Sequence, residues 1–246
     1  MTDRAPFDAL RMAVQDGARA LGLNLAPDRL DRFERYAAEL IEWNRRVNLT
    51  AIVDPLDIAR KHFLDSLSVL AACDVHPGSR IIDVGSGAGF PGLPIGIARP
   101  DVRVTLLEAT RKKCDFLRRV IELLELSRVT VVNARAEDAA RDSFQREQYD
   151  VAVARSVAAL DTLAEYVLPF TRVSGVALAH KSGDVETEVE QAGTAIAALG
   201  GRVRRIAPVA IPGLSEARAI VVIDKIGPTP DRFPRRAGMP ERRPIR

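Results

Sequence analysis

An acid followed by alternating glycines, at residues 83–90, most constrains what this chain can fold into. The stretch Asp83-Val84-Gly85-Ser86-Gly87-Ala88-Gly89-Phe90 follows the apolar run 80–82 and precedes a segment, 91–98, that can begin a helix. Glycines let a backbone approach a ligand closely, and the amino terminus of a helix presents unpaired N–H groups. A strand, a glycine turn and a helix in this order predict a cradle for a nucleotide-containing cofactor.

The acid before the first glycine separates two classes of cofactor. The same region fits G-x-G-x-x-G, and Glu108 follows at about the 20-residue distance typical of a nicotinamide dinucleotide site. A diphosphate on the turn is repelled by Asp83, whereas the cationic groups of S-adenosylmethionine are attracted to it. The residues therefore favour S-adenosylmethionine. A nicotinamide oxidoreductase remains an alternative, and so does an RNA-binding module that keeps the pocket without turnover.

Alternating strand and helix patterns predict an α/β fold. Strand-like segments lie at 81–84, 102–107, 129–133, 151–154, 175–180, 203–210 and 217–226, with helical segments at 111–126, 161–170 and 185–199. Such alternation predicts a seven-stranded, mostly parallel sheet covered on both faces, and the two closing strands predict an antiparallel edge. This is the usual Rossmann-like methyltransferase architecture.

The first part of the chain shows helical spacing only. Apolar residues recur at helical positions within 30–41, Asp54-Pro55 resembles a helix start, and a further helix is expected from about 58 to 70. We therefore divide the chain into an N-terminal helical region at 1–75, a methyltransferase domain at 76–226 and a Pro/Arg-rich tail at 227–246.

Composition limits the cellular location and the partners that we expect for this protein. The chain has 246 residues, of which 47% are hydrophobic, and its two cysteines, Cys73 and Cys114, have no metal-ligand spacing. No apolar run approaches the roughly 18 residues that span a bilayer. We expect a cytoplasmic protein without a metal or a membrane partner, and a monomer.

The basic charge is concentrated at the carboxyl end. The tail has six arginines and two acids, so its net charge is +4, against +3 for the whole chain. A concentrated basic segment indicates a polyanionic partner, with RNA the leading candidate, although a solvated tail is an equal alternative.

The positions just after each strand are the candidate site, because ligands bind beyond the carboxyl ends of strands in such sheets. Glu108 after the second strand is suited to a ribose diol. Ala136 and Glu137 after the third strand are suited to an adenine edge. Arg155 after the fourth strand can hold the cofactor carboxylate or the target base.

The residues after the fourth strand also bear on the reaction. The Asn/Asp-Pro-Pro-aromatic motif of amino methyltransferases is absent, and neither cysteine is placed as a nucleophile. What remains is an acceptor atom that already carries a free lone pair, such as guanine N7. Methylation of such an atom requires alignment with the methyl donor and no general base. Trp43 and His62, taken alone, are expected to be a core residue and a satisfied buried histidine.

Several motifs stand in the same order as in one known family. They are Trp43-Asn44-Arg45-Arg46-Val47-Asn48-Leu49-Thr50, Lys61-His62-Phe63-Leu64-Asp65-Ser66-Leu67, the glycine stretch with Pro91-Gly92, Arg155, and Phe233-Pro234-Arg235-Arg236-Ala237-Gly238-Met239-Pro240. From about residue 30 to its end, the chain resembles the RsmG/GidB family, the ribosomal RNA small subunit methyltransferases G. The resemblance implies a class I S-adenosylmethionine-dependent fold and N7 methylation of one guanosine in 16S ribosomal RNA, alone or in the 30S particle.

The resemblance and the strand-end positions together give the candidate site residues. The cofactor set is Asp83, Gly85, Gly87, Gly89, Phe90, Glu108, Ala109, Thr110, Ala136, Glu137 and Arg155. Arg155 and Lys181 are the candidate catalytic residues. RNA contacts are expected from Arg111, Lys112, Lys113, Arg235 and Arg236. The tail arginines are alternatively expected to pack back on the domain.

Overall fold

The computed structural model describes residues 5–246, and its amino-terminal part is helical. Helix α1 spans Ala5–Ala20 and α2 spans Pro27–Asn44. A third helical stretch runs from α3 at Pro55–Asp57 to α4 at Asp65–Ala72. No strand precedes residue 80 within the described part of the chain, and residues 1–4 of the predicted helical region lie outside it.

The third helical stretch contains a π-helical segment at Ile58–Leu64. The predicted cap at its start is confirmed, because Asp54 Oδ1 accepts a hydrogen bond from Asp57 N at 2.9 Å. Further along, Asp65 N donates to the carbonyl of Arg60, five residues earlier. A π turn holds more residues than an α turn, so it shifts the following side chains around the helix axis, and such turns concentrate at functional sites.

A seven-stranded sheet forms the centre of the molecule, as predicted. Its strands are β1 (Arg80–Val84), β2 (Arg103–Glu108), β3 (Val129–Asn133), β4 (Tyr149–Arg155), β5 (Thr171–Ser182), β6 (Gly201–Val209) and β7 (Arg218–Lys225). The strand order is β3-β2-β1-β4-β5-β7-β6. Strands β1 to β5 pair in parallel, and β7 is antiparallel to both β5 and β6.

Helices cover both faces of the sheet. They are α5 (Gly92–Ala98), α6 (Arg111–Leu123), α7 (Ala136–Ala139), α8 (Leu160–Val167), α9 (Val185–Ala198) and α10 (Met239–Arg242). Successive strand residues point to opposite faces, so Ile81 joins one apolar cluster and Ile82 joins the other. The first cluster includes buried residues of α1, α2, α5 and α6; the second includes those of α8, α9 and Phe233 of the tail. The amino-terminal helices thus share a core with the sheet.

Several element bounds differ from the sequence expectation, and α8, expected to reach residue 170, ends at Val167. Helix α6 was predicted to continue to residue 126, but it ends at Leu123, and Glu125 has a φ of +53° that an α-helix does not accommodate. Helix α7 is a single turn that the spacing of apolar residues did not predict, because one turn gives no periodicity.

Candidate active site

The turn after β1 requires glycines because its backbone has positive φ angles and because neighbouring side chains leave no room for a Cβ at two of them. Gly85, Gly87 and Gly89 have φ values of +74°, +58° and +100°. A Cβ at Gly85 would lie 2.9 Å from Val157 Cγ2, and a Cβ at Gly89 would lie 2.3 Å from Leu93 Cδ1. Glycine alone satisfies both requirements, so the turn can lie close to the neighbouring loop.

Asp83 does not occupy the place that its sequence position indicated. The side chain is fully buried, and its Oδ2 accepts a hydrogen bond from Gly92 N at 2.8 Å, while Oδ1 has no partner among residues 5–246. Asp83 points to the same face of β1 as Ile81, toward α5, and it lines neither cavity described below. The prediction that this carboxylate faces the cofactor is therefore wrong in this conformation: it anchors the start of α5 instead.

Burial has a marked electrostatic effect on Asp83. Loss of hydration raises the pKa of its carboxyl from 3.8 to about 7, and the hydrogen bond from Gly92 and the charge of Arg155 only partly oppose that rise. The start of α5 is thus anchored by a buried carboxyl group whose pKa is well above its usual range.

A cavity of about 210 Å³ opens beside the glycine turn, at the carboxyl ends of β1, β2 and β3; we call it the glycine-loop cavity. Of the predicted cofactor residues, Gly85, Glu108, Ala109, Ala136 and Glu137 line it. Gly87, Gly89, Phe90 and Thr110 line neither cavity. Other lining residues that the sequence did not single out are Val157, Ala158, Tyr166 and Glu241.

Glu108 is held in place by the backbone around it. Its Oε2 accepts a hydrogen bond from Gly87 N at 3.0 Å, and its Oε1 accepts one from Thr110 N at 2.7 Å. Each carboxylate oxygen can accept a second bond, so the fixed side chain keeps acceptor capacity toward the cavity. This geometry supports the predicted role as acceptor for a diol.

A larger cavity of about 560 Å³, lined mostly by charged and polar residues, adjoins the first; we call it the polar cavity. The loop after β4 lies between them, because Arg155 and Ser156 line the polar cavity while Val157 and Ala158 line the glycine-loop cavity. Ser156 has a φ of +56°, which is uncommon for a residue with a side chain and typical of functional loops.

Arg155, predicted from its position after β4, is fixed at the centre of the polar cavity. Its Nη1 donates to Asp65 Oδ2 at 2.8 Å and to the Lys61 carbonyl at 2.9 Å, and its Nη2 lies 3.1 Å from His62 Nδ1. The guanidinium lies 5.0 Å from the centre of the Phe90 ring. The side chain is only 12% exposed, and Nε–H and one Nη2–H remain free to donate.

His62 is buried with both ring nitrogens engaged, as expected, but its place in the Arg155 network was not predicted. Its ring stacks on Phe90 at 4.4 Å between centroids, and Nε2 lies 2.8 Å from Thr50 Oγ1. Since Nδ1 faces a donor on Arg155, Nε2 carries the proton and donates to Thr50. Burial and the charge of Arg155 lower the pKa of His62 from 6.5 to about 3, so the ring is neutral near pH 7.

Asp65 joins the amino-terminal helices to the sheet. Besides its bond to Arg155, its Oδ1 lies 3.2 Å from Arg218 Nη1 of β7, and its carbonyl accepts from His180 Nε2 of β5 at 2.9 Å. Opposing effects act on its carboxyl: burial disfavours the charge, but the neighbouring cations dominate and lower the pKa of Asp65 below 3.8. Lys61 and His62 lie within the π-helical segment and Asp65 follows it directly, and all three line the polar cavity.

Lys181, the other predicted catalytic residue, lines the polar cavity but is already engaged. Its Nζ donates to Glu188 Oε1 at 2.6 Å and to the Ala158 carbonyl at 2.8 Å, and its side chain is 10% exposed. Glu188 Oε1 also accepts from Leu160 N at 2.8 Å. Lys181 therefore fixes the loop after β4, and it does not project freely toward a substrate.

The residues predicted to contact RNA lie in two different environments, some exposed and one engaged in an ion pair. Arg111 and Lys112 are exposed and Lys113 is half-buried at the start of α6, beside the glycine-loop cavity. In the tail, Arg236 is exposed. Arg235 is engaged, since its Nη2 lies 2.6 Å from Oε2 of the buried Glu165. Its guanidinium compensates a buried carboxylate, and a contact of Arg235 with RNA stays a prediction.

The tail packs onto the domain, which was the alternative expectation. Arg146 donates to the carbonyls of Phe233 and Thr229 at 2.8 and 2.7 Å. Gly238 N donates to Glu137 Oε1 at 2.8 Å, so the tail reaches the wall of the glycine-loop cavity. Net charge could not reveal this arrangement, because the partners of the tail lie about 100 positions away (residues 137 and 146).

Neither a metal-ligand cluster nor a membrane-spanning helix is found in the part of the chain that the structure describes. Within residues 5–246, no group of three or more His, Cys, Asp or Glu side chains could hold a metal ion. Over the same residues, no helix is both long and apolar enough to cross a bilayer.

Known proteins resemble this chain in sequence and in fold. The family model described as rRNA small subunit methyltransferase G matches residues 29–215. Proteins named ribosomal RNA small subunit methyltransferase G from Roseiflexus sp. (strain RS-1) and Roseiflexus castenholzii are 54% and 51% identical over 228 residues, covering 93% of this chain and 97% of each relative.

The fold has relatives among solved structures. The precorrin-6y C5,15-methyltransferase of Geobacter metallireducens superposes with a TM-score of 0.51 at 17% identity, over 65% of this chain and 88% of that chain. At this identity the likeness concerns the fold, and with the strand order it confirms the predicted Rossmann-like methyltransferase architecture. From the match over residues 29–215 and the identity to its relatives, the chain belongs to the rRNA small subunit methyltransferase G (GidB) family.

Proposed function

We propose that this protein transfers a methyl group from S-adenosylmethionine to N7 of a guanosine in 16S ribosomal RNA. Relatives covering almost the whole chain are named as small-subunit ribosomal RNA methyltransferases. The observation that carries the proposal is the pair of cavities that meet at the loop after β4. One is suited to the donor and the other to the acceptor, so two reactants can be held against each other.

The residues of the glycine-loop cavity are suited to S-adenosylmethionine. Gly85 leaves open the space that a Cβ would fill, Glu108 offers carboxylate oxygens at the end of β2, and Ala136 with Glu137 forms the far wall. When bound, S-adenosylmethionine supplies an electrophilic methyl group. No diphosphate-binding role is proposed for the turn, because family membership favours the methyl donor over the nicotinamide alternative.

The residues of the polar cavity are suited to a base and its phosphate. Arg155 keeps two unused N–H donors, which match guanine O6 or a carboxylate of the cofactor. His62 is neutral, and both of its ring nitrogens are engaged, so it is not placed to remove a proton. This agrees with an acceptor such as N7, whose lone pair needs no general base.

Methyl transfer to small subunits that lack the modification tests this proposal. We expect the protein to move labelled methyl from S-adenosylmethionine to one guanosine, with the label mapping to N7. Calorimetry with S-adenosylmethionine and NADH, run beforehand, separates the cofactor question from the substrate question. Binding of NADH alone would contradict the cofactor assignment. Salt-sensitive RNA binding with no methyl transfer would favour the non-enzymatic alternative.

A further inference from the structure

An arginine cluster lies at the edge of the sheet opposite the two cavities. Strands β1 and β2 begin with Arg80 and Arg103, which are register partners, and Arg128 immediately precedes β3. Parallel strands start at one edge, and strands of five or six residues at about 3.3 Å per residue span roughly 17–20 Å. Arg29 and Arg32 of α2 lie beside them. We call these five arginines the basic edge.

The basic edge surrounds two adjoining cavities. One, of about 170 Å³, is lined by Arg29, Arg32 and Arg128. The other, of about 310 Å³, is lined by Arg80, Arg103 and Arg128. Arg128 belongs to both, so five arginines separated by as many as 99 positions in sequence line two cavities that adjoin each other.

These arginines have little carboxylate compensation. Within residues 5–246, their sole ion pair is Arg29 Nε to Asp28 Oδ2 at 3.4 Å, and Arg29 Nη1 is buried without a hydrogen-bond partner. Arg80 lies 5.2 Å from the centre of the Tyr149 ring, and Arg128 donates to the carbonyl of Asp101 at 3.3 Å. Glu125 also lines the smaller cavity, but in the described part of the chain no ion pair joins it to an arginine there.

Several other surface arginines of this protein are paired with carboxylates. Arg11 lies 2.7 Å from Glu34 Oε1, Arg118 lies 3.0 Å from Asp115 Oδ1, and Arg172 lies 2.7 Å from Asp150 Oδ1. The basic edge is thus a concentration of positive charge that the fold leaves available to an anion. Guanidinium groups bind phosphate oxygens bidentately, which fits an occupant rich in phosphate.

We infer that the basic edge is a second contact surface for the phosphate backbone of the RNA substrate, apart from the active site. The inference rests on the proposed function, since a guanosine in the polar cavity belongs to an RNA much longer than the 17–20 Å that separates the two surfaces. Contacts of this kind position a nucleic acid without reading its bases. The surface would set how tightly a folded substrate binds, and not how fast the methyl group moves.

A double variant, Arg103→Gln with Arg128→Gln, tests the inference. Both side chains are exposed, so the fold should tolerate their loss. The matched control is Arg202→Gln with Arg205→Gln on β6, the strand at the other side of the sheet. Both arginines are exposed and, within residues 5–246, have no ion pair, and Arg205 donates to the Ala72 carbonyl much as Arg128 donates to that of Asp101. Binding of unmethylated small-subunit RNA is measured by filter retention at 50–200 mM salt, together with KM, kcat and the Kd for S-adenosylmethionine.

We expect the basic-edge variant to bind RNA about tenfold more weakly, and the slope of log K against log salt to become shallower by about 1.5. Its kcat and its Kd for S-adenosylmethionine should match the wild type, and the β6 control should stay within about twofold of the wild type. Equal affinity and equal salt slope in the two variants would overturn the inference. If the wild type binds RNA but transfers no methyl group, the proposed function fails, and the binding comparison still decides on the basic edge.

Discussion

The two cavities are built in different ways, although they share the loop after β4. The glycine-loop cavity is formed mostly by strand-end residues and small side chains close to the turn, such as Gly85, Ala109 and Ala136. The polar cavity is formed by charged side chains from the π-helical segment, β4, β5, α9 and β7. The first depends on backbone geometry, and the second depends on a hydrogen-bonded network. Substitutions should therefore affect the two in different ways.

Removal of Arg155 should give the largest effect. Arg155→Ala deletes the centre of the polar network, and we expect kcat/KM for RNA to fall about a thousandfold, or ~4 kcal/mol of transition-state stabilisation. The Kd for S-adenosylmethionine is measured in parallel. The control Arg172→Ala removes an exposed arginine at the opposite end of the sheet and should change little. Unchanged turnover in Arg155→Ala, with the wild-type melting temperature, would remove this residue from the site.

Asp83, which precedes the glycine turn, and His62, which lines the polar cavity, should contribute to stability with opposite dependence on pH. Asp83 binds a proton more tightly in the folded state, because its pKa rises from 3.8 to about 7, so its stabilising contribution is lost as pH rises from about 4 to 7. His62 binds a proton less tightly when folded, because its pKa falls from 6.5 to about 3, so its contribution is lost as pH falls below about 6.5.

Urea unfolding of Asp83→Asn and His62→Gln from pH 4 to pH 8 measures these two contributions. The free-energy difference between wild type and Asp83→Asn should decrease with pH, and that for His62→Gln should increase, each by roughly 2–4 kcal/mol. Differences that are flat with pH, or that run in the same direction, would contradict the assigned protonation states.

A methyl group at the glycine turn should weaken cofactor binding specifically. Gly85→Ala places a Cβ 2.9 Å from Val157 Cγ2 at a φ of +74°, so the turn or the loop after β4 must move. We expect the Kd for S-adenosylmethionine to rise about tenfold. Gly193→Ala in α9 is the control, because among the described residues no atom beyond the helix's own nearby backbone lies within 4 Å of the new Cβ. This substitution should stabilise the fold by ~0.5–1 kcal/mol. A Kd that is equal in the two variants would contradict the geometric argument.

The smallest expected effect concerns the docked tail. Glu165→Gln leaves Arg235 without its carboxylate partner, and we expect a loss of about 1 kcal/mol in unfolding free energy. Because Gly238 bonds to Glu137 in the cavity wall, loosening the tail should also raise the Kd for S-adenosylmethionine slightly. Glu190→Gln, an exposed acid on α9, serves as control. Proteolysis of the tail measures this docking and should be faster in the Glu165 variant than in the Glu190 variant. A tail that is cleaved no faster in the Glu165 variant would argue against the docking.

The sequence predicted more residues of the glycine-loop cavity than of the polar cavity, for a physical reason. Gly85, Glu108 and Ala136 were predicted because a parallel sheet brings the ends of its strands together, and each strand end can be recognised locally. His62 and Asp65 were not predicted as site residues. Their placement depends on a π-helical turn and on the docking of helices against β4, β5 and β7, which no local pattern encodes.

The sequence was also a limited guide to which arginines are available to bind an anion. Net charge drew attention to the tail, yet its Arg235 neutralises the buried Glu165, while five arginines from separate segments gather at the basic edge with little carboxylate compensation. A count along the chain registers charge, but whether a charge is available depends on which carboxylate lies next to it.

By itself the sequence determined the α/β class, the glycine turn, the acid at the end of β2 and the resemblance to one family, because these depend on local spacing and ordered motifs. Only the tertiary structure decided that Asp83 faces α5, that His62 and Asp65 hold Arg155, and that the tail closes over Glu137. Those outcomes are contacts between residues far apart in the chain, and their energies exist only once burial and proximity have been set by the fold.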